Sequence, residues 1–199
     1  MPRRYLRAFI KTSLLIGLLL AMLRLANPSF YYQIKYQIPV VPNGSVSAAS
    51  ADRMVKYNPF YNHHYAVLVN MTLPSSNPRM AVVDLRQTKT LFKTRSMHGK
   101  ASGGKWATKF SNQFGSNKTA LGRYVIVEEY RGHFGGAYRL AGIDATNSNA
   151  YSRSIVLHQS SSVRNNTIGR SKGCPAVSQQ ALASMKSYLR VGTLVWLYR

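Results

Sequence analysis

Acidic side chains are scarce: Asp52, Asp84, Glu128, Glu129 and Asp144 are the only five in 199 residues, set against 27 lysines and arginines. Glycoside hydrolysis needs two opposed carboxyls, and the only adjacent acids, Glu128 and Glu129, point to opposite faces of a strand. Cysteine is scarcer still. With Cys174 alone, an intramolecular disulfide and a cysteine-rich zinc cluster are both excluded, and no H-E-x-x-H occurs to offer a zinc site of another kind. No metal or cofactor is therefore expected. The acids also decide two serine motifs. Gly169 to Gly173 (GRSKG) fits the nucleophile elbow G-x-S-x-G, but that chemistry places an acid and a histidine after the serine. Here the last of each, Asp144 and His158, precede Ser171. Ser102-Gly103-Gly104-Lys105 fits S-x-x-K, but two glycines are poor residues for the helix that motif requires.

Formal net charge is +22. Such a surplus attracts polyanions of several kinds, namely nucleic acid, anionic lipid or an anionic cell wall. Between the leader and Arg199 the basic residues are scattered, with no block of five or six, which argues against a nucleic-acid-binding arm. At the N-terminus, Arg3, Arg4, Arg7 and Lys11 precede an apolar run from Thr12 to Leu23. A basic n-region followed by an apolar h-region is an export signal, and twelve residues rise only about 18 Å as a helix, short of a bilayer core. Residues 1–26 are expected to be a signal peptide cut after Ala26. An uncleaved inner-membrane anchor is the alternative, because Arg24 fits a cleavage site badly. Export directs the positive charge to the cell envelope.

Residues 27–63 hold Pro28, Pro39, Pro42 and Pro59 and the stretch Asn43 to Ala51, which reads as a linker or lead-in with no core of its own. From residue 64 to 199, β-rich runs alternate with Gly, Asn and Ser clusters: Tyr65 to Met71, Met80 to Leu85, Thr90 to Ser96, Tyr124 to Tyr130, Ala137 to Ile143, Ser154 to Gln159 and Thr193 to Tyr198. This spacing predicts a mainly β domain, a sandwich or barrel. One helix is expected in the C-terminal region, N-capped by Ser178, carrying the stripe Leu182, Met185 and Leu189, and stopped at Gly192.

A lone cysteine in an exported chain is an intermolecular bridge, a buried small hydrophobe or a reactive thiol. Cys174 lies in Gly169-Arg170-Ser171-Lys172-Gly173-Cys174-Pro175, a polar turn unlike a core site. Arg170 and Lys172 are expected to lower the thiol pKa, and Gly173 to let a substrate carbonyl approach backbone N–H groups that serve as an oxyanion hole. A thiol nucleophile needs an imidazole to take its proton and return it to the leaving amine. His158 ends the strand Ser154 to Leu157, sixteen residues before Cys174, and a return loop can bring the two together. His63 and His64 fall in the lead-in as structural or exposed groups; His98 and His133, each beside glycines, are pocket-lining or structural candidates.

These residues resemble the murein L,D-transpeptidase catalytic-domain family, YkuD-type in the broad sense, over roughly residues 75 to 199. An ordered series carries the resemblance: Val82-Val83-Asp84-Leu85, His98-Gly99 with Ser102-Gly103, Phe110-Ser111-Asn112, Gly115-Ser116, Leu121 to Tyr124, Tyr130 to His133, Arg139 to Asp144, Ile155 to His158, and Arg170 to Ala176. It implies a β-rich catalytic domain, Cys174 as nucleophile and His158 as general acid/base. The implied substrate is the L,D bond after the third residue of a peptidoglycan stem peptide, with release of D-alanine. The acyl-enzyme then passes to an amine on another stem or to water, so an L,D-carboxypeptidase is the nearest alternative. A non-catalytic basic wall-binding module is a second one. Where the wider family commonly has Ser-His-Gly-Cys, this chain has Lys172 in the histidine position, so Lys172 is expected to serve electrostatically or to bind a substrate carboxylate, and Arg170 and His133 are further substrate-binding candidates. Ser171 is assigned to the nucleophile turn, and the group orienting His158 is left among a backbone carbonyl, Ser171 and His133. Carbapenem acylation of Cys174 is a further implication.

Overall fold

The computed structural model describes residues 3–37, 45–132, 135–164 and 170–199, with the side chains of residues 3–8 left out of account. Among the described residues, four α-helices and eight strands run in chain order as α1 (Arg3–Ala26), α2 (Pro28–Lys35), α3 (Ala48–Val55), β1 (Tyr65–Asn70), β2 (Met80–Asp84), β3 (Lys89–Thr94), β4 (Gly122–Gly132), β5 (Gly135–Gly142), β6 (Val156–Gln159), β7 (Ala176–Val177), α4 (Gln179–Met185) and β8 (Leu194–Tyr198). All eight strands join one nearly barrel-shaped sheet in the order β3-β2-β1-β8-β4-β5-β6-β7, so the mainly β expectation holds.

Strands at the middle of the sheet bury both faces. In β1, Val67 and Val69 enter one core with Ile126, Leu140, Leu157 and Val195, while Ala66 and Leu68 enter a second with Val125, Ala141 and Leu194. Period-two alternation makes this two-sided burial possible, and a strand covered on both sides reads as a continuous apolar run. At the sheet's edge, β3 exposes Lys89 and Lys93, which discourage pairing with another chain.

Each core has its own helical cover. Ala181, Leu182 and Met185 of α4 close the first, with Ser178 Oγ accepting from the Ala181 amide as the expected N-cap. The helix stops at Met185, earlier than expected; Leu189 is buried from the following turn, and Gly192 (φ +91°) reverses the chain beyond it. The second core is closed by α2 and α3. Tyr32 of α2 and Tyr36, which caps its C-terminal end, are buried, as are Ala51, Met54 and Val55 of α3.

The 27–63 segment, read as a lead-in with no core of its own, thus supplies the helical cover of one sheet face. Pro28 sits at the first turn of α2, where no amide is needed, and Asn27 Oδ1 caps it by accepting from the Phe30 amide. Ser47 and Ser50 make a reciprocal capping box that starts α3 inside the serine-rich stretch. Pro39 and Pro42 lie outside the described residues. Three helices, α1, α2 and α3, precede the sheet, and α4 is the one expected in the C-terminal region.

Nor does the apolar N-terminal helix end with the twelve-residue run. It is continuous from Arg3 to Ala26, and among the described residues its segment Phe9–Ala26 is long and apolar enough to cross a membrane, with none of it buried. Eighteen residues rise about 27 Å, close to the hydrocarbon thickness that the shorter run missed.

Candidate active site

Register brings the two chemistry-bearing residues to the β6–β7 margin. Strand β6 pairs with β7 in parallel, setting His158 opposite Ala176, so Cys174 stands two residues before the partner of His158. The sulfur lies against the opening of β6: Sγ is 3.9 Å from the Ser154 carbonyl oxygen, and the Val156 amide faces it. Val156 and His158 share one face of the strand, so the ring sits one pleat beyond the amide that touches the sulfur. Ser154 holds φ +54°, a left-handed conformation costly for a residue with a Cβ, and its carbonyl is the one aimed at the thiol.

The imidazole is set by a backbone carbonyl. His158 Nδ1 donates to Gln159 O at 2.7 Å, which fixes the proton on Nδ1 and puts the basic lone pair on Nε2. Among the three orienting candidates this contact is made by the carbonyl. Burial pushes the His158 pKa down, partly opposed by that hydrogen bond, so the ring is neutral at neutral pH.

Ser171 is occupied elsewhere. Its hydroxyl donates to Cys174 O at 2.7 Å and accepts from the Gly173 amide at 3.0 Å, closing the turn on itself. The Gly173 amide is thus engaged with Ser171, whereas the Cys174 and Val156 amides face the sulfur. Gly173 adopts φ +133°, and a Cβ there would fall 2.9 Å from Lys118 O and 3.3 Å from an Arg153 nitrogen. Only glycine fits.

The turn is braced from behind by the segment 96–100. Ser171 donates to His98 O, Lys100 to Ser171 O and Met97 to Ala176 O, at 2.7 to 2.8 Å. His98 anchors that segment from inside: it is buried, its Nδ1 accepts from Arg79 at 2.8 Å, and Nε2 donates to Gly103 O at 3.4 Å. Arg79 is itself tied to Ser96 O and Leu73 O, and burial lowers its pKa to about 10. Burial, and then the Arg79 charge, push the His98 pKa down.

Charge around the sulfur is arranged differently from the sequence expectation. Arg170 and Lys172 are exposed at the rim, and the Arg170 charge falls on His98. The cation that acts on Cys174 is Arg153, held by Ser111 O at 2.9 Å, Lys118 O at 2.7 Å and Ser116 Oγ at 3.4 Å. Even so, burial outweighs Arg153 and the amides, and the thiol pKa is raised, which corrects the expected lowering. Sequence reasoning missed Arg153 because its partners are oxygens 35 to 42 residues away. The loop carrying it is fixed by the Arg123–Asp144 ion pair and by Asn147, whose Nδ2 donates to Arg123 O at 2.8 Å.

Of the remaining candidates, His133 lies outside the described residues, as does Gly169. His63 bonds Asn58 O and His64 bonds Arg86. Ser102, fully buried, accepts from the Thr119 amide and is a brace rather than a nucleophile. Among the described residues no group of three or more His, Cys, Asp or Glu side chains is placed to hold a metal. A cleft of about 510 Å³ opens beside β6, lined by Glu129, Tyr138, Gln159, Gln179 and Lys186 among others.

At this margin stand a half-buried thiol faced by the Cys174 and Val156 amides and an imidazole whose Nδ1 proton is held by Gln159 O. The family profile described as L,D-transpeptidase catalytic domain matches residues 45–198, and the chain belongs to that family. Its lower bound takes in α3, within the segment first read as a lead-in. Among solved structures, the chain is similar to Bdellovibrio bacteriovorus Bd1075 (17% identity, TM-score 0.47, covering 77% of this chain and 50% of that one). It is also similar to L,D-transpeptidase 3 from Mycobacterium tuberculosis (11% identity, TM-score 0.47, 68% and 61%). A third is the Enterococcus faecium L,D-transpeptidase C442S mutant (11% identity, TM-score 0.46, 71% and 52%). The chain spans about three-fifths of the length of the first solved structures it matches. No curated protein matches.

Proposed function

We propose that this chain is an envelope cysteine acyltransferase that cross-links or remodels peptidoglycan stem peptides. The observation that carries it is the Cys174 turn seated on the opening of β6, with His158 one pleat further along and keyed by Gln159 O. His158 Nε2 takes the thiol proton as the sulfur attacks the carbonyl of the L,D bond before a terminal D-alanine. The tetrahedral intermediate collapses, the C–N bond breaks, and the imidazolium returns the proton to the departing amine, leaving a thioester on Cys174. An amine of a second stem attacks that thioester, again losing its proton through His158, and the thiol is restored. Because burial raises the thiol and lowers the imidazole, the resting pair is neutral, and proton transfer accompanies attack.

Lys172 and Arg170, exposed at the rim, are assigned to the carboxylates of the stem, and His133 to the same binding function. We read residues 1–26 as the export segment, retained as an inner-membrane anchor. The catalytic body of residues 64–199 faces the periplasm, with α2 and α3 of the 27–63 segment bound to it. Water in place of the second amine would make the same site an L,D-carboxypeptidase.

The test is to incubate the purified full chain with disaccharide-tetrapeptide muropeptides and follow products by mass spectrometry. Dimers lacking one D-alanine are expected; tripeptide alone indicates the carboxypeptidase, and unchanged substrate with wall-bound protein indicates a binding module. Cys174→Ala is expected to abolish turnover, and a carbapenem to add its mass to Cys174. Full turnover by Cys174→Ala would end the proposal.

A further inference from the structure

Helix α2 is apolar on both sides. One side, Tyr32 continued by the capping Tyr36, is buried in the second core. The other presents Phe30 and Ile34, one helical turn apart, to the outside at 49% and 44% exposure. The turn after α3 meets the end of α2 through Phe60, which lies under Lys35, and exposes Phe60 and Tyr57 at 53% and 76%. Cations are interleaved with the rings: Arg24 lies over Tyr31, Lys35 over Phe60 at 4.7 Å, and Lys56 over Tyr57 at 5.7 Å.

We propose that α2 and the Tyr57–Phe60 turn form a platform that lies in the interface of an anionic bilayer and holds the catalytic body at a fixed attitude to the membrane. This rests on the reading of α1 as a retained anchor. Three observations choose lipid as the occupant. The platform begins one residue, Asn27, after an exposed helix long and apolar enough to span. Aromatic rings mixed with Lys and Arg are the side chains that settle at headgroup depth, with apolar bodies inward and charged tips in water. Finally, a chain of net charge +22 is drawn to an anionic surface.

The platform is rigidly joined to the domain. Asn58 Nδ2 donates to Lys35 O at 3.1 Å and Gln37 O at 3.2 Å, fastening the turn to the end of α2. Ser29 Oγ and Ser152 Oγ are 2.9 Å apart, and the Tyr32 and Tyr151 rings stand 5.2 Å centre to centre. Tyr151 and Ser152 run directly into Arg153 and Ser154, which touch the candidate site. With no slack between membrane and site, the thiol reaches stem peptides only in the layer next to the bilayer.

The test uses the full chain in nanodiscs containing phosphatidylglycerol, in a Cys174→Ser background, with single spin-labelled cysteines. Leu18→Cys reports whether α1 is inserted, while Phe30→Cys, Ile34→Cys and Phe60→Cys report the platform. Leu91→Cys on β3 serves as the reference, five strands and about 24 Å across the sheet from β5, which α2 contacts. Accessibility to a water-soluble nickel chelate is expected to fall at least threefold at the three platform sites relative to Leu91, with oxygen accessibility rising. If Leu18 is in lipid while the platform sites match Leu91, the platform is wrong and the anchor stands. If Leu18 is also in water, both fail. Protection that grows with protein-to-disc ratio would place a second copy there and overturn the lipid assignment. Equal protection in purely phosphatidylcholine discs would overturn its anionic part.

Discussion

Two buried histidines, His98 and His158, have the same direction of pKa shift from the same first cause, yet their Nδ1 atoms are bonded in opposite senses. At His98, Nδ1 accepts from Arg79 and Nε2 donates to Gly103 O, so the ring's lone pair is spent on a fixed cation. At His158, Nδ1 donates to Gln159 O and the lone pair is on Nε2, at the strand whose opening touches the only thiol. Burial alone does not distinguish the two rings; the direction of the Nδ1 hydrogen bond does, and it underlies the proposal of His158 as base and His98 as brace.

Exchanging each ring breaks the comparison most strongly. His158→Gln is expected to lower acylation by on the order of 10²- to 10⁴-fold, the usual worth of a positioned acid/base, while melting near the parent temperature. His98→Ala removes the acceptor of a buried guanidinium and leaves a cavity, costing about 2–4 kcal/mol. At roughly 2–4 °C per kcal/mol for a domain of this size, Tm falls by about 5–15 °C. Acylation kinetics and thermal melts on both variants check this. Loss of rate without loss of stability at His98 would remove the distinction.

Gly173→Ala comes next. A left-handed φ and a Cβ 2.9 Å from Lys118 O force the turn to shift, at a strain of about 1–3 kcal/mol, and the sulfur moves with it. A displacement near 1 Å is worth on the order of 10²-fold in rate. Single-turnover acylation should show the loss, with kcat affected more than KM. An unchanged rate would mean that the turn tolerates another path.

Much of this layout is legible in the chain and part is not. Val, Leu, Ile and Tyr runs gave seven of the eight strands, but Ala176–Val177 is too short to carry a pattern, although it sets His158 against the nucleophile turn. Pro28 and Ser47 look like loop residues until a helix is seen to start at each, because the same side chains cap helices and punctuate turns. Cys174 and His158 stood out as a scarce residue and a strand-terminal imidazole. Arg153 did not, since a guanidinium bound to carbonyls of a distant loop leaves no motif. Which ring nitrogen bonds which oxygen is a three-dimensional fact, and it is what separates the two histidines.

The pH profile sharpens the pair further. The proposed mechanism starts from neutral His158 and protonated Cys174, so the acid limb is expected below the ordinary histidine value of about 6.5, and the basic limb above the ordinary thiol range. A broad plateau of kcat/KM between them follows. Stability behaves in the matching sense. Both rings are neutral when folded, so below pH of about 6.5 the unfolded chain binds more protons and stability is lost as pH falls. A narrow bell centred near neutrality would instead indicate a preformed thiolate–imidazolium pair.

The smallest effect is expected at Lys172, and it separates rim charge from site charge. Lys172 is exposed beside Cys174 in sequence, yet the cation acting on the sulfur is Arg153, fixed by three oxygens and 3.3 Å from where a Gly173 Cβ would stand. Charge at an exposed, mobile side chain is screened by water and salt, whereas a partly buried guanidinium is not. Lys172→Ala should therefore leave the pH dependence of thiol alkylation where it is and raise KM for an anionic stem severalfold, with kcat nearly constant. Arg153→Gln should move the alkylation curve to higher pH, because a charge favouring the thiolate is removed. If Lys172→Ala shifts the alkylation curve and Arg153→Gln does not, the sulfur is tuned from the rim, and the assignment of the two cations must be reversed.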